Sequence, residues 1–282
     1  MDAAVEVFHQ GLDFGEGPRW HDGRLWVSDF FAQRVSSFDA DGTARVEVEL
    51  DDRPSGLGWL PSGDLLVVAM RSRQVRRVDA AGTIHLHGDL SDVATGMCND
   101  MVVDRAGNAY VGNFGFDMDA GQKPAAADLA LARPDGSVEV AATDLRFPNG
   151  TVITPDGTTL VVGESMGGRY TAFTIQDDGT LTDRRTWAEV PGRAPDGCAL
   201  DAEGAIWMAD AGGGGCFRIA EGGEVLDRVE ATQPVFACAL GGDDRRTLYL
   251  VTAPAFGEGV CAGKGLGKVE AVGVEVPGAG LP

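Results

Sequence analysis

The chain has 282 residues, 44% of them hydrophobic, with 41 glycines and a formal net charge of −20 at pH 7. That composition is ordinary for a globular protein and excludes a disordered one, and no run approaches the roughly 18 consecutive apolar residues of a membrane helix. So negative a chain repels nucleic acid and anionic membrane surfaces, so neither is expected as a partner; solubility accounts for most of the acidic groups, and a few are free to hold a cation.

The N-terminal stretch "MDAAVEVFHQGLDF" carries acidic residues where an export signal would carry positive charge and then an apolar run. The expected location is therefore cytoplasmic. Five cysteines, Cys98, Cys198, Cys216, Cys238 and Cys261, form no CxxC pair, and free thiols are expected. Three of them lie in apolar segments and are expected in the core.

One phrase recurs along the chain. It reads "GEGPRWHDGRLWVSD" from Gly15, "SGLGWLPSGDLLVVA" from Ser55, "NDMVVDRAGNAYVGN" from Asn99 and "NGTVITPDGTTLVVG" from Asn149. It continues as "DGCALDAEGAIWMAD" from Asp196 and, in its most divergent form, "ACALGGDDRRTLYLVT" from Ala237. Each copy predicts a short strand, a tight turn and a second strand. The turn positions Gly23, Gly63, Gly107, Gly157, Gly204 and Arg245 are separated by 40, 44, 50, 47 and 41 residues. Segments between the copies, such as "QVRRVDAAGTIHLHG", supply two further strands per repeat. Four strands in 40 to 45 residues is the size of a β-propeller blade. A sandwich needs no such regularity and a β-helix has a much shorter period. The expected fold is all-β, a six-bladed β-propeller with four antiparallel strands per blade, as one domain over residues 1–282. Ring closure is expected to use the strand near "VEVF" or the C-terminal "GKVEAVGVEV".

The start of each first strand carries the chemistry. Asn99, Asn149 and Asp196 stand eight residues before their turn positions, and Glu16 stands seven before its own, in a repeat with a shorter turn. The other two repeats offer Ser55 and Ala237. First strands line a propeller's channel, so these side chains converge near the axis. Carboxylate and amide oxygens without His or Cys suit a hard divalent cation. The competing explanation is that Asn-Gly and Asp-Gly are merely turn dipeptides between blades. Second strands run back to the same face, and their ends read Asp29-Phe30-Phe31, Met70-Arg71, Asn113-Phe114, Glu164-Ser165-Met166, Asp210 and Thr252. That mixture of polar, aromatic and Met side chains is expected to rim a small-molecule pocket. Residues 115–130 lengthen one loop, as a lid or as plain surface.

The phrases "EGPRW", "NGTVITPDGTTLVVGES" and "PDGCALDAEGAIWMAD" resemble the senescence marker protein / gluconolactonase / luciferin-regenerating enzyme family over nearly the whole chain, in order and spacing. The resemblance implies a six-bladed propeller with one divalent metal in the central channel and hydrolysis of sugar lactones. It makes Glu16, Asn149 and Asp196 the metal ligands, Ca²⁺ the first choice with Zn, Mn, Mg or Fe as alternatives. It makes Asp196 the general base and Asn99 a group facing substrate or water. Many members carry an Arg two residues before the Asn matched by Asn99. Met97 stands there in this chain, which points to a less hydroxylated lactone, with Arg71 the candidate replacement.

The expected activity is hydrolysis of a small lactone by water attacking a metal-polarised carbonyl. The substrate-binding set is Asn99, Met97, Arg71, Asn113, Phe114 and Glu164. A Ser-His-Asp mechanism is not expected: His9, His21, His85 and His87 avoid channel-lining positions and there is no GxSxG elbow. Two alternatives remain. One is a metal-dependent propeller enzyme of other chemistry, such as an organophosphate or ester hydrolase or a secondary-metabolism enzyme. The other is a non-catalytic binding propeller. A monomer or weak homo-oligomer is expected.

Overall fold

The computed structural model of the chain describes residues 4–282, so the first three residues of the N-terminal stretch lie outside the described residues. Six four-stranded antiparallel sheets follow one another around a ring. The first comprises Gly15–His21, Arg24–Asp29, Arg34–Phe38 and Ala44–Glu49; the second, Pro54–Trp59, Leu65–Ala69, Gln74–Val78 and Ile84–Asp89. The third runs from Cys98–Val103 through Ala109–Asn113 and Ala127–Ala132 to Val138–Leu145. The fourth has Pro148–Ile153, Thr159–Glu164, Arg169–Ile175 and Leu181–Glu189, and the fifth has Pro195–Leu200, Ile206–Asp210, Cys216–Ile219 and Val225–Val229.

Both closure candidates are used. Val235–Gly241, Thr247–Thr252 and Gly267–Gly273 form three strands of the sixth blade, and Glu6–Leu12 from the N-terminus pairs antiparallel with the third as its outermost strand. The ring is thus closed by chain segments from opposite ends, which leaves no long inner edge unpaired.

Burial falls outward along each blade. Every residue of Cys98–Val103, Pro148–Ile153 and Pro195–Leu200 is buried, whereas four of five residues in Val225–Val229 are exposed. Apolar clusters lie between adjacent blades: Val152, Tyr170, Trp187, Cys198, Ile206 and Met208 join the fourth to the fifth. All five cysteines are buried and free.

Asn149-Gly150 is not a turn. It lies within Pro148–Ile153, and Gly150 has no left-handed backbone. A Cβ at Gly150 would sit 2.2 Å from the Asp196 carbonyl oxygen, and one at Gly56 would sit 2.4 Å from the Met101 nitrogen. Glycine is needed here because inner strands of neighbouring blades approach backbone to backbone.

Candidate active site

The register positions meet. Glu16, Ser55, Asn99, Asn149 and Asp196, from five different blades, line one cavity of about 240 Å³ at an end of the channel. Their placement has a local cause. Pairing between first and second strands slips between Glu16 and Arg19, Pro54 and Leu57, Cys98 and Met101, Pro148 and Thr151, and Pro195 and Cys198. Irregularities of this kind re-aim a side chain out of the sheet.

All four oxygen-bearing candidates are buried, with Glu16 at 6%, Asn99 at 4%, Asn149 at 6% and Asp196 at 8% exposure. Glu16 Oε2 accepts the Gly17 N–H at 3.0 Å. Asn149 Nδ2 donates to Ser165 Oγ at 3.2 Å, and that hydroxyl donates to the Pro195 carbonyl at 2.6 Å. This chain of bonds anchors the amide nitrogen and leaves Oδ1 as the free acceptor. Asn99 Nδ2 donates to the Pro148 carbonyl at 3.0 Å, and its buried Oδ1 has no partner.

The electrostatics are one-sided. Burial, then the negative charges of Asp196 and Asp100, push the Glu16 carboxyl well above the usual range. Asp196 is pushed up to about 8, by burial first and Asp100 second, against the pull of the Gly197 N–H and the Asn149 amide. Beside them lies an ion pair outside the sequence-based set. Arg19 Nη2 donates to Asp100 Oδ1 at 2.6 Å, with both side chains 3% exposed. The same guanidinium donates to the carbonyls of Pro18, Leu57 and Met101, and so ties three blades together on the axis. The available signal was a second polar residue inside two inner strands that already carry a site residue, Arg19 after Glu16 in "EGPRW" and Asp100 after Asn99 in "NDMV".

This donor set fits a divalent cation. Two buried carboxylates share a pocket with a free amide oxygen, and a bound positive charge offsets the burial and the carboxylate repulsion that together hold their affinity for protons high. Among the described residues no three His, Cys, Asp or Glu side chains converge as a ligand group, so amide and water oxygens would complete the shell. No histidine lines the cavity.

The remaining expected contacts divide. Phe114 lines the cavity and stacks on Phe147 with centroids 4.4 Å apart. Met97 and Arg71 line a separate neighbouring groove, and Arg71 approaches Glu258 at 3.5 Å. Asn113 and Glu164 point into their blades instead of the cavity. Asn113 Oδ1 accepts the Gly115 N–H and its Nδ2 donates to the Asp128 carbonyl. Glu164 is fully buried and accepts from Arg169, Thr171 and the Arg146 N–H. Against burial, which alone would raise it, those bonds hold its carboxyl below the usual range. Asp29 and Asp210 are also turned inward, onto the Phe14 and Ala194 N–H groups. Of the lengthened loop, Met118 reaches the cavity wall while residues 119–126 are exposed. Phe14, Phe147, Phe236 and Phe256 also line the cavity and were not foreseen. They precede or lie outside the repeated phrases, so no register pointed to them.

Fold and site together define a class: a closed six-bladed propeller with a buried acidic pocket on its axis. Residues 14–254 match the SMP-30/Gluconolactonase/LRE-like region, and the chain belongs to that family. A pentonolactonase of Haloferax volcanii is 30% identical over 270 residues, 93% of this chain and 88% of that protein. A 6-deoxy-6-sulfogluconolactonase of Pseudomonas putida is 28% identical over 88% of this chain and 86% of its own length. The solved calcium-binding protein regucalcin of Agrobacterium tumefaciens shares the fold, with a TM-score of 0.83 and 24% identity over 99% of this chain and 97% of that one.

Proposed function

We propose that the protein is a metal-dependent hydrolase of a small lactone. The observation that carries this reading is the convergence of Glu16, Asn149 and Asp196 with Asn99 and Ser55 in one buried cavity. The lactonase names of its relatives support the reaction class, and the calcium-binding structural neighbour is consistent with Ca²⁺ as the first ion to test.

Glu16, Asn149 through Oδ1, and Asp196 would hold the cation, which when bound supplies Lewis-acid polarisation of the lactone carbonyl. Asp196 takes a proton from the attacking water as its oxygen bonds to the carbonyl carbon. The same carboxyl returns the proton to the ring oxygen as the C–O bond breaks, so the product is a hydroxy acid. Asn99, whose side chain lines the cavity beside Glu16, Asn149 and Asp196, orients the water or a substrate hydroxyl. A small concave site of this kind suits a small molecule better than a docked protein.

The test is hydrolysis of a lactone and ester panel by chelated protein, with Ca²⁺, Mn²⁺, Zn²⁺, Mg²⁺ and Fe²⁺ restored one at a time. Cation-dependent lactone turnover is expected. An Asp196→Ala variant with full activity and full metal binding would overturn the assignment.

A further inference from the structure

Given the lactone-hydrolase reading above, on which this rests, we infer that the substrate is an alkyl- or aryl-substituted lactone with few hydroxyl groups, not a polyhydroxylated sugar lactone. The polar side chains of the cavity sit together, and the rest of its wall is apolar and mostly aromatic, with Met118, Met166, Ala194 and Ala211 beside six phenylalanines. Phe14, Phe30, Phe114, Phe147, Phe236 and Phe256 are its aromatic part, drawn from the first, third, fourth and sixth blades and their loops. Phe14 is the hub of one side, with ring centroids 4.8 Å from Phe236, 5.2 Å from Phe30 and 5.5 Å from Phe256. The Phe114–Phe147 stack forms another side. Phe256 is 41% exposed and stands where a substituent would enter.

Hydroxyl recognition is nearly absent. The described lining contains no Arg, Lys, His, Gln, Thr or Tyr. Ser165 is committed to Asn149 and the Pro195 carbonyl. Once Glu16, Asn149 and Asp196 hold the cation, Ser55 and Asn99 are the polar side chains left for substrate. The nearby cations are engaged elsewhere: Arg53 pairs with Glu258 at 2.6 Å and lies over the Phe31 ring, and Arg71 shares the same Glu258. A sugar lactone would bring several hydroxyls against phenyl faces, where each loses its water without gaining a partner. An alkyl tail on the same ring instead buries its methylenes there, each worth about a fourfold gain in kcat/KM. Discrimination follows because a pocket without hydroxyl partners penalises the hydroxylated ligand as well as favouring the apolar one.

The experiment compares kcat/KM of the cation-loaded full chain across γ-butyrolactone, γ-hexanolactone and γ-octanolactone, with glucono-δ-lactone and a pentono-γ-lactone in the same assay. The expected result is a rise of about fourfold per added methylene until the cavity is filled, with both sugar lactones at least tenfold below the best alkyl lactone. A sugar lactone as the best substrate overturns this inference and keeps the lactonase reading. Absence of turnover of every lactone with every cation overturns the lactonase reading itself. Phe256→Ser, at the exposed mouth, is expected to compress the octano-to-butyro ratio about tenfold; an unchanged ratio would remove the aromatic wall as the selecting element.

Discussion

Glu16 and Asp196 are carboxylates placed where carboxylates are costly. Burial first, and then neighbouring carboxylates (Asp196 and Asp100 for Glu16, Asp100 for Asp196), raise both pKa values, Asp196 to about 8. A group whose folded pKa lies above its unfolded value stabilises the fold at low pH and loses that contribution as pH rises. Metal-free protein should therefore lose thermal stability from about pH 4 toward pH 8, and a divalent cation should restore it increasingly across the same range. Thermal melts with and without chelator check this, and a Glu16→Gln/Asp196→Asn double variant should flatten both the pH dependence and the cation response. For activity, Asp196→Asn should lower kcat by about 10²-fold or more, read from lactone hydrolysis at saturating cation. The Arg19–Asp100 pair makes a different demand. Arg19→Leu leaves Asp100 buried without a counter-charge and should cost about 3–5 kcal/mol in urea unfolding.

At the scale of the element, five of the six blades secure a neighbouring loop with a buried acidic side chain. Asp29 accepts the Asp13 and Phe14 N–H groups, Glu164 that of Arg146, Asp210 that of Ala194 and Glu270 that of Thr232. In the second blade Asp52 does this work from the opposite side, accepting from Arg71 and Ser72. These clips explain why the acidic ends Asp29, Glu164 and Asp210 do not rim the pocket, whereas Phe30, Phe114, Ser165 and Met166 from the same strand ends do. A carboxylate beside several unpaired loop N–H groups is satisfied there, and a loop N–H left buried and unpaired would be costly. In sequence the clip and a substrate contact look alike, because both are a polar residue at a strand end. The first strands were legible for the opposite reason: register residues recur at a fixed distance from their turns. Gly150 tests that strand packing. Gly150→Ala places a methyl against the Asp196 carbonyl and should destabilise by about 1–3 kcal/mol, with a loss of cation affinity measurable by calorimetry because it displaces the strand carrying Asp196.

For the whole molecule, the ring stands or falls as a unit. The N-terminal strand Glu6–Leu12 completes a blade whose other strands lie more than 220 residues away, with partners such as Glu6 opposite Ala271. Removing residues 4–12 should expose the edge of Gly267–Gly273 and yield a less stable, aggregation-prone protein, detected by light scattering and a lowered melting temperature. The net charge of −20 reads differently at this scale. Many acidic side chains cap turns, as Asp41, Asp79, Asp135 and Asp178 do by accepting N–H groups two to four residues on, so the charge reflects turn chemistry as much as any cation site.

The repeat period, the strand pairs and the residues at the start of each first strand were determined by the sequence alone. They depend on local periodicity and turn chemistry, which repeat at fixed spacing. The tertiary structure decided which way each buried polar side chain turns, which phenylalanines from different blades form one wall, and that Arg19 and Asp100 meet on the axis. Those outcomes depend on side chains far apart in the chain, 81 positions for Arg19 and Asp100 and more than 200 for Phe14 and Phe256, coming within a few ångströms when the ring closes, and no local pattern encodes a distance of that kind.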